Sequence, residues 1–192
     1  MQSLRPEPPT VDLMELITLF YPAPSELGDF QACLEPVTVP EPHRRLLDHE
    51  EHMTVTVEAF HGSPVDVRVA RTHYSREAAT SGNWYAREIT LHRQSDGRPV
   101  QYGIVRLNID LLDPIVWEEI EAQETPLGRV LIRHHVLREV ALCGLWRVEA
   151  GEPLAELLEM PAGGVTFGRT ARIFCDRLPA IELLEIVAPG SS

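Results

Sequence analysis

The sequence predicts an α+β domain, an antiparallel sheet of six to seven strands with helices packed on one side. Three observations predict it. Short runs of β-branched and aromatic residues alternate apolar with polar positions and are punctuated by Gly, Pro, Asn and Asp. Many connections between these runs are too short for a parallel crossover. Helical patterns gather at the front and middle of the chain instead of recurring after every strand. With 192 residues, 44% of them hydrophobic, the chain suits one domain with a sizeable core.

Taken in order, Met1 to Thr10 is polar and Pro-rich and reads as a tail. Leu13, Leu16, Ile17 and Phe20 form a helical stripe that Pro22 and Pro24 end. Ser25 to Phe30 opens another short helix, and Glu35 to Pro42 is a Pro-punctuated linker. The boundary expected from this is an N-terminal extension, tail plus helix, over 1–42, with the domain proper over 43–189. His43 to Glu51 reads as a short helix with Leu46 and Leu47 facing the core. Met53 to Phe60 alternates Met53, Val55, Val57 and Ala59 with Thr54, Thr56 and Glu58, and reads as a first strand. The turn His61-Gly62-Ser63-Pro64 leads to a second strand on Val65, Val67 and Val69, giving a hairpin. The third strand is Trp84 to Leu91, between the turns Ser81-Gly82-Asn83 and Ser95-Asp96-Gly97, and the fourth is Val100 to Ile109. Pro114 to Glu124 reads as a helix with Ile115, Trp117 and Ile120 as core contacts; Thr125-Pro126-Leu127-Gly128 interrupts it, and Arg129 to His134 resumes. Val136 to Val148 is strand-like with a bulge at Cys143-Gly144, Leu154 to Met160 is a short link, and Val165 to Cys175 and Ala180 to Ala188 are the last strands.

The net charge of −12 makes nucleic acid and anionic membrane surfaces poor partners. A small anionic ligand remains open, provided local cations hold it. Cys33, Cys143 and Cys175 have no paired spacing, which argues against a disulfide framework and a zinc site and fits a reduced, cytoplasmic setting. No signal peptide and no apolar run approaching the ~20 residues of a membrane span is visible.

The third strand carries the chemistry. Side chains alternate along a strand, so Tyr85, Arg87, Ile89 and Leu91 share one face, and three of the four mark it as core. Arg87 is therefore an inward guanidinium that cannot shed its proton and needs an anion, either an internal carboxylate or that of a ligand. On the last strand Ile181, Leu183, Glu185 and Val187 share a face, so Glu185 is a carboxylate among apolar neighbours. The two charges either pair with each other or flank a cavity that holds a ligand with an anionic end and a hydroxyl or ether end. A buried ion pair adds little stability, which favours the cavity.

These residues sit in a pattern. Leu46-Leu47, then Met53-Thr54 and Glu58, the strand Trp84-Tyr85-Ala86-Arg87-Glu88-Ile89-Thr90-Leu91, the segment Thr125-Pro126-Leu127-Gly128-Arg129, Phe167-Gly168-Arg169, Pro179, and Leu184-Glu185 with Pro189 resemble, in order, the motifs of chorismate lyases. Phe167 stands where that family often has Trp, and Thr170-Ala171 replaces Arg-Ser. The resemblance implies removal of pyruvate from chorismate to give 4-hydroxybenzoate, without cofactor or metal. It implies that Arg87 grips the ring carboxylate, that the Met53 amide adds a donor, and that Glu185 sits near the oxygen that becomes the phenol, with the Leu127 backbone beside it. Arg169 would meet the enolpyruvyl carboxylate or else be a surface arginine. The runner-up is a non-catalytic binding module, because effector-binding domains of some bacterial transcription regulators share this fold; no helix-turn-helix is recognisable in the acidic N-terminal stretch to accompany it. A third possibility is a relative that holds a protein partner. Other candidates are weaker: His49 and His52 lack the metalloprotease spacing, His134 and His135 are adjacent, and no Gly-rich phosphate loop, GxSxG elbow or CxxC motif occurs.

Overall fold

A computed structural model describes residues 10–76, 82–136 and 138–189. The tail 1–9 and Ser81 of the first turn lie outside the described residues. Seven strands form one antiparallel sheet: β1 (Gly28–Cys33), β2 (Val65–Arg76), β3 (Asn83–Arg93), β4 (Pro99–Asn108), β5 (Arg138–Ala150), β6 (Val165–Cys175) and β7 (Leu178–Val187). Their order across the sheet is β1-β5-β6-β7-β4-β3-β2. The chain thus makes two meanders, β2-β3-β4 and β5-β6-β7, and joins them where β4 lies against β7. The expected bulge in β5 is present as a register shift between Leu142 and Gly144.

Among the described residues seven α-helices cover the sheet: α1 (Leu13–Thr18), α2 (Pro24–Leu27), α3 (His43–Leu47), α4 (Met53–His61), α5 (Pro114–Glu121), α6 (Leu127–Arg133) and α7 (Glu152–Leu157). The main cover, α3 to α6, buries Leu46, Leu47, Val57, Val116, Ile120 and Val130 against one sheet face, that of Tyr85, Ile89, Val105, Leu183 and Val187. A smaller cover closes the reverse. There Leu13, Leu16 and Ile17 of α1 and Leu154 of α7 pack on Tyr102, Ile104, Leu184 and Ile186. Strand alternation sends each set to its own side.

Some local readings change. Ile115 of α5, expected as a core contact, is 63% exposed, and Val116 is buried in its place. Residues 53–60 fold as helix α4, not as a strand hairpinned to β2. Their buried positions are Met53, Thr54 and Val57, a helical spacing, whereas Val55 is exposed. The β-branched residues cost a helix only tenths of a kcal/mol each. Burial of one face and Gly62, the left-handed cap at φ 59°, decide the matter. Of Ser25 to Phe30, expected to open a short helix, the first three residues lie in α2, while Gly28 to Phe30 belong to edge strand β1, paired with β5.

Candidate functional site

One mostly enclosed hollow lies between the main helical cover and the sheet. Its sheet wall includes Arg87 and Ile89 on β3, Gln101, Gly103 and Val105 on β4, and Glu185 on β7; the first turns of α4 and α6 roof it. Register explains the grouping. Glu185 stands opposite Gly103, Gly103 opposite Ile89, and Arg87 lies two residues further along β3. Two strand spacings across and two residues along separate the Arg87 and Glu185 backbones by about 12 Å, so the side chains enter from opposite ends. Gly103 between them contributes no side chain, which leaves the floor open. The cavity measures about 40 Å³, taken as the space open to the centre of a water molecule. That is room for roughly three or four waters, the scale of one small ring and not of a nucleotide or lipid tail.

Arg87 is 1% exposed. Its Nη1 donates to the Ile120 carbonyl at 3.3 Å, and its Nε is buried without a hydrogen-bond partner. Tyr85 is its other polar neighbour, and among the described residues no carboxylate lies within ion-pairing distance. Burial pushes the guanidinium below its ordinary range, with the Tyr85 hydroxyl offsetting only part of this. It nevertheless stays charged. A buried cation without an anion costs several kcal/mol.

Glu185 does not pair with Arg87. It accepts from Arg169 Nε at 2.7 Å and, weakly, from Gln101 Nε2 at 3.5 Å. Arg169 is neither a surface residue nor a free anion receptor. It is 0% exposed, and its remaining donors reach the carbonyls of His49 at 2.8 Å, Glu51 at 3.0 Å and Leu47 at 3.5 Å. Its place opposite Glu185 on β6 makes it the internal partner that Arg87 lacks, and it fastens the 47–51 segment to the sheet.

Met53 and Leu127 are the first residues of α4 and α6, and neither helix has a side-chain cap. The N–H groups at the very start of a helix lack an intrahelical acceptor, and both segments line the hollow. The two ends approach closely because residue 128 is glycine; a Cβ there would sit 3.0 Å from Thr54 Oγ1 and 3.2 Å from His52 Cβ. Arg129 pairs with Glu58, and Glu58 also accepts from the Val65 amide at 3.0 Å, which locks α4, α6 and β2 together. The Glu58 and Thr-Pro-Leu-Gly-Arg motifs are thus one roof.

Sequence reasoning missed Gln101, which is 2% exposed and whose Oε1 has no partner. The signal was available: Gln101 shares strand parity with Val105 and Leu107, a polar residue on an apolar face. His49 is absorbed structurally, its Nε2 donating to the Leu46 carbonyl at 2.7 Å, and His134 contacts Glu119 at 2.6 Å. Among the described residues no group of three or more His, Cys, Asp or Glu could hold a metal ion, and no helix is long and apolar enough to cross a membrane.

No family model and no curated protein matches the chain. Solved structures do. The effector domain of PhnF from Mycobacterium smegmatis superposes with a TM-score of 0.53 at 12% identity, over 72% of this chain and 88% of that one. A second PhnF structure from that organism gives 0.50 at 13% identity, over 70% of this chain but 62% of that one. The C-terminal domain of the histidine utilization repressor from Pseudomonas syringae gives 0.47 at 16% identity, over 67% and 96%, too loose to weigh alone. At these identities the likeness is one of fold: the seven-stranded antiparallel α+β architecture of an effector domain.

Proposed function

We propose that this chain is a small-molecule binding module whose hollow holds a small anionic ring compound, an aromatic acid being the simplest case. The observation that carries this is Arg87, a buried, permanently charged group with no anion of its own. A carboxylate from a ligand would supply two charge-assisted hydrogen bonds, one of them to the idle Nε. Amides at Met53 and Leu127 would add donors from the roof, while Arg169 would position Glu185 and the 47–51 segment without touching the anion. The likeness to an effector domain supports binding as the end point. Binding of 4-hydroxybenzoate should raise the unfolding free energy by about 2.7 kcal/mol at a hundred times its dissociation constant. Absence of any thermal shift at millimolar ligand would refute the reading for this class.

The second reading is the lyase, elimination of pyruvate from chorismate. Its support is the ordered set of motifs around Arg87 and Glu185. Two features weigh against it. Glu185 is engaged as an acceptor by Arg169, whereas departure of the ether oxygen calls for a donor. Arg169, the cation that the second carboxylate of chorismate would need, is already committed. Incubation with chorismate, followed by chromatography for pyruvate and 4-hydroxybenzoate, separates the readings: turnover establishes the lyase, and binding of the product alone supports the module.

A further inference from the structure

We propose that His49 is a proton-sensitive latch, a positioning residue that keeps Arg169 and the 47–51 segment in place only while its ring is uncharged. Its Nε2 lies 2.7 Å from the Leu46 carbonyl, which can only accept, so Nε2 carries the hydrogen. In the neutral ring Nδ1 is therefore a bare acceptor. It accepts from the Glu51 amide at 3.1 Å and faces Arg169 Nη1 at 3.3 Å. A protonated imidazole has no acceptor. A hydrogen on Nδ1 would point at an amide N–H and at a guanidinium, and both contacts would turn repulsive. The same guanidinium holds Glu185 through Nε and the carbonyls of His49 and Glu51 through its other nitrogens. A charge on His49 thus acts where the segment is fastened to the sheet.

A second attachment has the same requirement. His43, at the start of α3, stacks on Phe167 of β6 with ring centroids 5.1 Å apart, two residues before Arg169. Both its ring nitrogens are buried without a hydrogen-bond partner among the described residues, so the charged ring would bring two unmet donors instead of one. The charges that face His49 are Arg169 from β6, Glu185 from β7 and Glu51 from its own segment. The two carboxylates favour the proton, but burial first and Arg169 second hold the pKa below its ordinary value of 6.5. Burial alone does the same to His43. The released segment therefore takes up protons more readily than the docked one. Docking is complete above the ordinary value and weakens as pH falls through it. The segment runs directly into His52 and Met53, which line the hollow, so its release loosens the roof. The release needs no guest; only its effect on a guest rests on reading the hollow as a ligand site.

The test is amide hydrogen exchange of the full chain without ligand at pH 7.5 and 5.5, each rate referred to the unstructured rate at that pH. Protection over residues 47–53 should fall by roughly fivefold or more at pH 5.5, while β4 and β7 keep theirs. His49→Asn should abolish the fall, because its Oδ1 can accept from the residue 51 amide as an Asx turn and takes up no proton. His49→Lys, charged and without an acceptor, should show the low protection already at pH 7.5. Nitrogen NMR of the wild-type ring keeps the question open to decision if the variants fold poorly: a hydrogen on Nε2 at pH 7.5 and a titration midpoint below the ordinary value are expected, and a midpoint at or above it overturns the latch. Equal protection at both pH values overturns it too, as does a fall that survives in His49→Asn or one spread evenly over β4 and β7. Calorimetric titration with 4-hydroxybenzoate at the same two pH values reads the effect on a guest. Weaker binding at pH 5.5 in wild type, level in His49→Asn, is expected. Level affinity in wild type overturns the link to the hollow, and no binding at either pH overturns the pocket reading while the exchange result still decides the latch.

Discussion

Arg87 and Glu88 are neighbours on β3 and point to opposite faces of one sheet. Glu88 is as buried as Arg87, 1% exposed, yet fully partnered. Tyr21 and Tyr102 donate to its Oε1, Tyr102 at 2.8 Å, and Arg71 donates to Oε2 at 2.7 Å. Arg71 is itself anchored by the Phe20 carbonyl and lies over the Phe20 and Tyr21 rings. One face completes its buried charge with protein groups; the other leaves its charge incomplete. A buried charge completed internally belongs to the fold. A buried charge left incomplete fits the ligand site proposed above.

This contrast can be broken or sharpened by experiment. Arg87→Met should lower affinity for 4-hydroxybenzoate by about 2–5 kcal/mol, the usual cost of removing one side of a buried charge pair, while the urea midpoint without ligand holds or rises. Titration calorimetry and a urea melt read the two quantities, and a large drop in stability would mean that Arg87 serves the fold after all. Glu88→Ala should do the reverse. It strands two tyrosine hydroxyls and a half-exposed arginine, and should lower the unfolding free energy by about 3 kcal/mol in chemical denaturation. Gly128→Ala should push the first turn of α6 off Thr54 and His52 and weaken ligand binding by about 1 kcal/mol, seen as a roughly fivefold rise in dissociation constant.

The smallest effect concerns pH. Burial first, and then Glu88, push the Tyr102 hydroxyl well above its ordinary range, and the same causes raise Tyr21. The folded state therefore holds these protons more tightly than the unfolded chain. Their contribution is complete below the ordinary tyrosine value of about 10 and is lost as pH rises beyond it. Unfolding free energy measured from pH 8 to 11 should fall at the alkaline end, and less steeply in Tyr102→Phe.

Much of this was legible in the chain and some was not, for physical reasons. Strand parity singled out Arg87 and Glu185, and short connections gave the antiparallel class, because both are local properties of the chain. Gln101 obeyed the same rule and went unread. Residues 53–60 alternate as a strand would, but their fate was settled by the face that a roof over the sheet had to bury. The Arg169–Glu185 pair depends on register. A regular tight hairpin continued from the Cys175–Leu178 pair would set Arg169 against Leu184; the irregularity between Ile173 and Phe174 shifts the strands by one and brings Glu185 opposite instead. β1 has only weak alternation, Gly28-Asp29-Phe30-Gln31-Ala32-Cys33, and owes its strand state to an open edge of β5.

The two meanders pair along β4 and β7, and the hollow straddles that junction: Arg87 belongs to the first, Glu185 and Arg169 to the second. A guest gripped at both poles becomes a staple between the early and late portions of the polypeptide. Its occupancy should slow amide hydrogen exchange most along the seam, at Gly103, Val105, Leu183 and Glu185, and least at the outer strands β1 and β2.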